Sequence, residues 1–235
     1  MASLYFIRHG QASFGAANYD QLSALGQRQA DITGQFLAQV GVQFDAAYAG
    51  TLSRQQETGE RILASQATAC ELQIDGRFNE VNNDEQVKAL LPGLCAGNEA
   101  LAEIASRDSK SSRDYQKIID AVFNAWVSPD CEVANIVPWA TYRDGVRAAM
   151  KDIMLEVGGG KSTAVFTSGG TIATVVGLVL HVSADGFYQF YEPVMNCSIT
   201  RFFYSGAKIS LSNFNDVAHL QLLGAQLDES LVTYR

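Results

Sequence analysis

The apolar run Leu4-Tyr5-Phe6-Ile7 closes on Arg8-His9-Gly10, and Gln11-Ala12-Ser13 follows at once. Such a run reads as a buried parallel strand that delivers a charged residue and an imidazole to its carboxyl end. Arg54 stands in Thr51-Leu52-Ser53-Arg54-Gln55-Gln56-Glu57-Thr58, past a second predicted strand, and Glu80 follows Arg77-Phe78-Asn79, past a third. Thr167-Ser168-Gly169-Gly170 lies between a β-branched strand and a predicted helix, where backbone N–H groups make an anion site and glycines admit close approach.

These types fit phosphoryl transfer, which needs an in-line nucleophile, cations on the equatorial oxygens and an acid for the leaving oxygen. A neutral His9 imidazole can attack phosphorus without a metal to create the nucleophile. Arg8 and Arg54, at or just past strand ends on one sheet edge, can clamp phosphate oxygens through bidentate guanidinium forks. Glu80, Asp84 and Glu85 are candidates for the acid, since a phosphate dianion raises the pKa of a neighbouring carboxyl group. Gln11, directly after the glycine, and the Gly169 N–H complete the expected phosphate ligands.

The elements that must position these groups alternate. Strands are predicted over 3–7, 44–49, 69–74 and 163–167, with a hairpin over 197–204 and 209–214 joined near Gly206. Helices are predicted over 52–67, 139–157 and 171–180. Ser23 is a candidate cap for a further helix that turns Leu25, Ile32, Phe36 and Val40 inward and stops at Gly41. Residues 13–21 read as loop. The pattern implies an α/β three-layer sandwich, a mainly parallel sheet with helices on both faces. Residues 1–235 are expected to form one domain, with 81–137 an insertion or cap of short helical pieces and polar linkers.

Composition narrows the classes. Seventeen Lys and Arg against 25 Asp and Glu, a net charge of -8, argue against a nucleic-acid or acidic-lipid surface. No apolar run has the length of a membrane helix, and no signal-peptide pattern opens the sequence, so a cytoplasmic protein without membrane contact is expected. Cys70, Cys95, Cys131 and Cys197 are spaced for neither a disulfide framework nor a metal, and no cofactor or metal is expected. Gly160-Lys161-Ser162 lacks the earlier glycine of a nucleotide phosphate loop and leads into a strand. Phe166 stands where a serine-hydrolase elbow requires glycine.

Together with Leu22-Ser23-Ala24-Leu25-Gly26-Gln27-Arg28-Gln29-Ala30, Asn196-Cys197-Ser198-Ile199-Thr200 and Phe214-Asn215-Asp216-Val217-Ala218-His219-Leu220, these motifs resemble the histidine phosphatase superfamily, the phosphoglycerate-mutase-like proteins, along nearly the whole chain. The resemblance selects Glu80 as the acid and implies a histidine-type acid phosphatase acting on a small phosphorylated substrate or phosphopeptide. It also exposes a departure. The family's Ser-His-Gly-Gly is here Thr167-Ser168-Gly169-Gly170 in register, so Ser168 takes the slot of the second catalytic histidine, with a hydroxyl that can donate but carries no charge. A weakly active or inactive phosphate-binding member of the fold, or a phosphomutase, are the alternatives. His181 and His219 are expected to be structural.

Overall fold

The computed structural model describes residues 1–13, 20–131 and 133–234. Most of the predicted loop over 13–21 lies outside these residues. Among them, six strands form one mixed sheet in the order β3-β2-β4-β1-β5-β6. Strand β1 (Ala2–Arg8) pairs in parallel with β4 (Ser162–Thr167) and antiparallel with β5 (Ile199–Ser205). On the far side of β4, β2 (Ala46–Ala49) and β3 (Leu72–Ile74) continue the parallel order, while β6 (Lys208–Asp216) pairs antiparallel with β5 across a turn at Gly206.

Strand alternation sorts the core into two layers. Leu4, Phe6 and Val165 face α6 (Trp139–Val157) and α7 (Gly169–Leu180), packing with Met150, Ile172 and Val175. Tyr5, Ile7, Ala164 and Phe166 face α1 (Ala24–Gln39), α2 (Ser53–Leu63) and α9 (Ala218–Leu227), packing with Leu37, Ile62 and Leu220. Helices therefore cover both faces, as an α/β sandwich requires.

Two expectations need correction. Ser23 caps α1 by accepting from Gly26 N, and Gly41 stops the helix at φ 74°, but the buried stripe is Gly26, Gln29, Ala30, Thr33, Gly34 and Leu37. Val40 is exposed, and Leu25, Ile32 and Phe36 only fringe the core. Small residues won this face because α1 lies against backbone. A Cβ on Gly26 would stand 2.1 Å from Gln11 O, and one on Gly34 2.9 Å from Ile62 Cα.

The second correction concerns 81–137, which contains three regular helices, α3 (Asn83–Ala96), α4 (Glu99–Ser106) and α5 (Ser112–Val127). Their caps are Asn82, Asn98 and Ser111, the last of them within the polar stretch that reads as linker, and Ser111 forms a reciprocal capping box with Asp114. Leu101, Ile104, Val122, Phe123 and Trp126 make a third apolar cluster with Trp139, Phe187 and Tyr188. A four-residue helix, α8 (Tyr188–Tyr191), joins this cluster to the sheet edge, and neither it nor α9 was expected from periodicity. Among the described residues no helix is long and apolar enough to cross a membrane.

Candidate active site

Because β1, β2 and β4 run parallel, their carboxyl ends deliver His9, Gly50 and Ser168 to one edge, with Arg8 opposite Thr167 in the register. Two backbone bonds fix His9: its N–H donates to Thr167 O at 2.8 Å, and its carbonyl accepts from Asn196 Nδ2 at 3.1 Å. The ring is buried, with Nδ1 2.7 Å from Gly10 O and Nε2 accepting from Arg54 Nε at 3.2 Å. A carbonyl can only accept, so Nδ1 carries the proton and Nε2 presents its lone pair. Burial, and then the charges of Arg8 and Arg54, hold the imidazole well below its ordinary pKa. It is neutral at neutral pH. Gly10 lies so close to α1 that a Cβ would meet Gly26 O at 2.3 Å.

Arg54 opens α2, whose first turn is held from outside. Asp20 accepts from Ser53 N through Oδ2 and from Arg54 Nη1 through Oδ1, each at 2.7 Å. Thr58, one turn on, donates to Arg54 O and accepts from Gly10 N, binding the arginine motif to the histidine motif. Arg8 Nη1 donates to Val194 O and, at 2.9 Å, to Tyr234 O.

Glu80 is half-buried and accepts through Oε1 from Val81 N at 3.0 Å and Gly170 N at 2.9 Å. Burial raises its pKa, while Arg54, Arg8 and the two amides restrain the rise. Gly170 is required here, since a Cβ would come within 2.4 Å of Glu80 Oε1. Thus the amide at the start of α7 serves the carboxylate. Tyr142 and Tyr191 flank it, and the Glu80 charge adds to the burial that pushes both phenols up. The Tyr191 ring also packs on Gly169, and its hydroxyl accepts from Asn83 Nδ2 at 2.7 Å.

Ser168 is fully enclosed at the N-terminus of α7, where its side chain makes no capping bond and accepts instead from Gln55 Nε2 at 2.8 Å. Gln11 donates through its backbone N to Gln29 Oε1, and its own Oε1 accepts from Ser23 Oγ at 2.8 Å. Asp84 and Glu85, the rival acids, lie exposed in the first turn of α3. His181 is an exposed left-handed C-cap of α7, and His219 bonds to Thr33.

The structure therefore gathers Arg8, His9, Arg54 and Glu80 into mutual electrostatic reach, with Ser168 at the neighbouring strand end. It adds residues that sequence reasoning missed: Asp20, Gln55, Asn196 and Tyr191. Gln55 sits beside Arg54, and Asn196 opens a motif already noted, but their partners are distant in sequence.

Residues 4–89 match the family model of the histidine phosphatase superfamily (branch 1). No match was found among curated protein sequences. Among solved structures, the chain is similar to a phosphoserine phosphatase mutant from Entamoeba histolytica in complex with phosphoserine, at 17% identity and a TM-score of 0.66, over 94% of this chain and 100% of that one. A phosphoglycerate mutase from Bacillus anthracis is similar at 21% identity and a TM-score of 0.66, over 93% of this chain and 94% of that one.

Proposed function

We propose that this chain is a phosphomonoesterase that works without metal through a phosphohistidine on His9. The observation that carries this reading is the neutral His9 ring, with its proton on Nδ1 and its Nε2 lone pair facing Arg54. In the first step that lone pair attacks phosphorus while the bond to the ester oxygen breaks. Arg8 and Arg54 hold the equatorial oxygens, and protonated Glu80 passes its proton to the leaving alcohol. In the second step Glu80 takes a proton from water, whose oxygen displaces Nε2 and leaves as inorganic phosphate. The environment suits these roles, because burial lowers the base and raises the acid.

The substrate class we propose is a small phosphorylated molecule. The solved relatives crystallised with phosphoserine and with 3-phosphoglyceric acid are consistent with that class. Brief exposure to a labelled phosphate ester should leave an acid-labile, base-stable phosphoryl group on the protein, absent in His9→Ala. Turnover that survives His9→Ala overturns the mechanism. One observation favours a second reading, a phosphate-binding member with little turnover: Ser168 is uncharged and wholly enclosed. Phosphate binding with neither ester turnover nor a labelled protein would select it.

A further inference from the structure

Gln55 takes no part in the proposed chemistry, yet it is completely buried among the residues that do. It follows Arg54 on α2, and its Nε2 donates both to Ser168 Oγ at 2.8 Å and to Phe78 O at 3.2 Å. The Phe78 carbonyl stands two residues before Glu80 and also accepts from Thr167 Oγ1 at 2.5 Å. One side-chain amide thus joins the helix of Arg54, the segment of Glu80 and the end of β4. Its orientation is decided by Phe78: a carbonyl only accepts, so the NH2 group must face it, and Ser168 receives an N–H. Gln55 Oε1 is left without a partner among the described residues and is directed at Gly50, where a Cβ would stand 2.0 Å from it. The reverse orientation would give Oε1 the Ser168 proton, but would set it against the Phe78 carbonyl.

The consequence falls on the hydroxyl. Its oxygen is engaged by Gln55, while among the described residues its hydrogen has no acceptor. A buried donor left unspent is costly unless something is meant to receive it. Ser168 lies at the end of β4, and His9 leaves the paired end of β1. We propose that Gln55 is a positioning residue that acts through Ser168: by engaging the hydroxyl oxygen, its amide turns the hydroxyl hydrogen toward the phosphoryl group transferred at His9. This rests on the phosphomonoesterase reading. A hydroxyl aimed at the phosphoryl group as it passes to His9 strengthens its contact there, and so stabilises the in-line transition state more than the first binding of phosphate.

Gln55→Met keeps the length of the side chain and removes its N–H groups. It should lower kcat and the affinity for orthovanadate, a mimic of the in-line state, by about tenfold, the net worth of one hydrogen bond. KM and the affinity for inorganic phosphate should stay within about twofold, as for a contact made only in the transition state. Ser168→Ala should show the same split, and the double variant should fall no further than Ser168→Ala alone. Losses that multiply to about a hundredfold mean independent action and overturn the proposal, as does a Gln55→Met protein indistinguishable from wild type. Should Gln55→Met melt below the assay temperature, Gln55→Leu carries the same comparison. If wild type turns over no ester and forms no phosphohistidine, the functional reading fails by itself. The vanadate series then still decides the coupling: non-additive losses sustain it, and additive or absent losses end it.

Discussion

His9 and His219 are both buried, and burial is the first cause of a lowered pKa in each. Their surroundings otherwise diverge. His9 gives its Nδ1 proton to Gly10 O and presents Nε2 to Arg54. At His219 the proton lies on the other nitrogen: Thr33 spends its own hydrogen on Gln29 O, so His219 Nε2 must donate to Thr33, and Nδ1 is left bare among the described residues. That ring stacks on Phe36 with centroids 5.0 Å apart, beside α1. A displaced pKa therefore marks burial in both places. What sets His9 apart is convergence, with two guanidinium groups, a carboxyl group and a parallel sheet edge around the Nε2 lone pair that faces Arg54.

The largest expected contrast between the two is direct. His9→Ala should cost turnover about 10⁴-fold or more, as loss of a nucleophile does, whereas His219→Gln, which can still donate to Thr33, should leave kcat unchanged. Comparable losses from both would mean that His9 acts through the fold and not through its lone pair. Next comes the clamp. Arg54→Lys keeps the charge but loses the fork that serves Asp20 and His9 together, so kcat/KM should fall about 10²–10³-fold. Full activity in the lysine variant would remove bidentate clamping from the mechanism.

Glu80 sharpens the comparison through pH. Its raised pKa keeps the acid form to higher pH than an ordinary carboxyl group, and the lowered pKa of His9 keeps the base form to lower pH than an ordinary imidazole. Activity should therefore fall on the alkaline side as Glu80 deprotonates and on the acid side as His9 protonates. Glu80→Gln should abolish the alkaline limb, costing about 10²-fold on alkyl phosphates and far less on p-nitrophenyl phosphate, whose leaving oxygen scarcely needs a proton. Equal losses on both esters would exclude the acid role.

A gentler test asks how much imidazole the site can take at a third position. With no exposed surface at Ser168 and Gln55 Nε2 only 2.8 Å from Oγ, Ser168→His alone should lower stability by about 1–3 kcal/mol by overpacking. Paired with Gln55→Ala, which opens space, the same histidine should raise turnover above Ser168→Ala. A stable, faster Ser168→His single variant would show that the enclosure yields freely.

The smallest effect on activity belongs to pH-dependent stability. His219 is held neutral down to about pH 4, below its unfolded value, so the unfolded chain takes up a proton first. Stability should be complete above the ordinary histidine pKa and fall by roughly 2–3 kcal/mol as pH drops toward 4. Melting curves of His219→Gln should lose that contribution and keep the acid slope that His9 and the carboxylates held low, such as Asp75, still supply. An unchanged slope would place the acid sensitivity elsewhere.

Much of this was legible in the sequence, for reasons that particular residues make plain. Arg8 and His9 announce a strand end because they close the apolar run Leu4-Tyr5-Phe6-Ile7, whereas Arg54 and Glu80 lie in polar stretches and stand out only by their place past predicted strands and by the family resemblance. The face of α1 was misread because packing against backbone rewards glycine, alanine and threonine, which a search for large apolar residues passes over. The capped helices within 81–137 were hidden because the side chains that start a helix are the ones that fill loops. Asp20, Gln55 and Asn196 were silent because a hydrogen bond across the fold leaves no periodicity behind.

The order of the strands bears on synthesis. Arg8, His9, Arg54 and Glu80 all lie within residues 4–89, yet β1 pairs with residues 162–167 and 199–204, so its two hydrogen-bonding edges wait for segments much later in the chain. During translation the strand that leads to His9 is a bare hydrophobic edge, open to pairing with other chains until β4 and then β5 emerge. Strand β1, with Arg8 at its end, thus waits for neighbours far along the chain, and contacts of such long sequence separation make slow folding. Chaperone dependence should accordingly be set by the late strands, and a nascent chain stalled before β4 should hold every motif of the first half without a site to show for it.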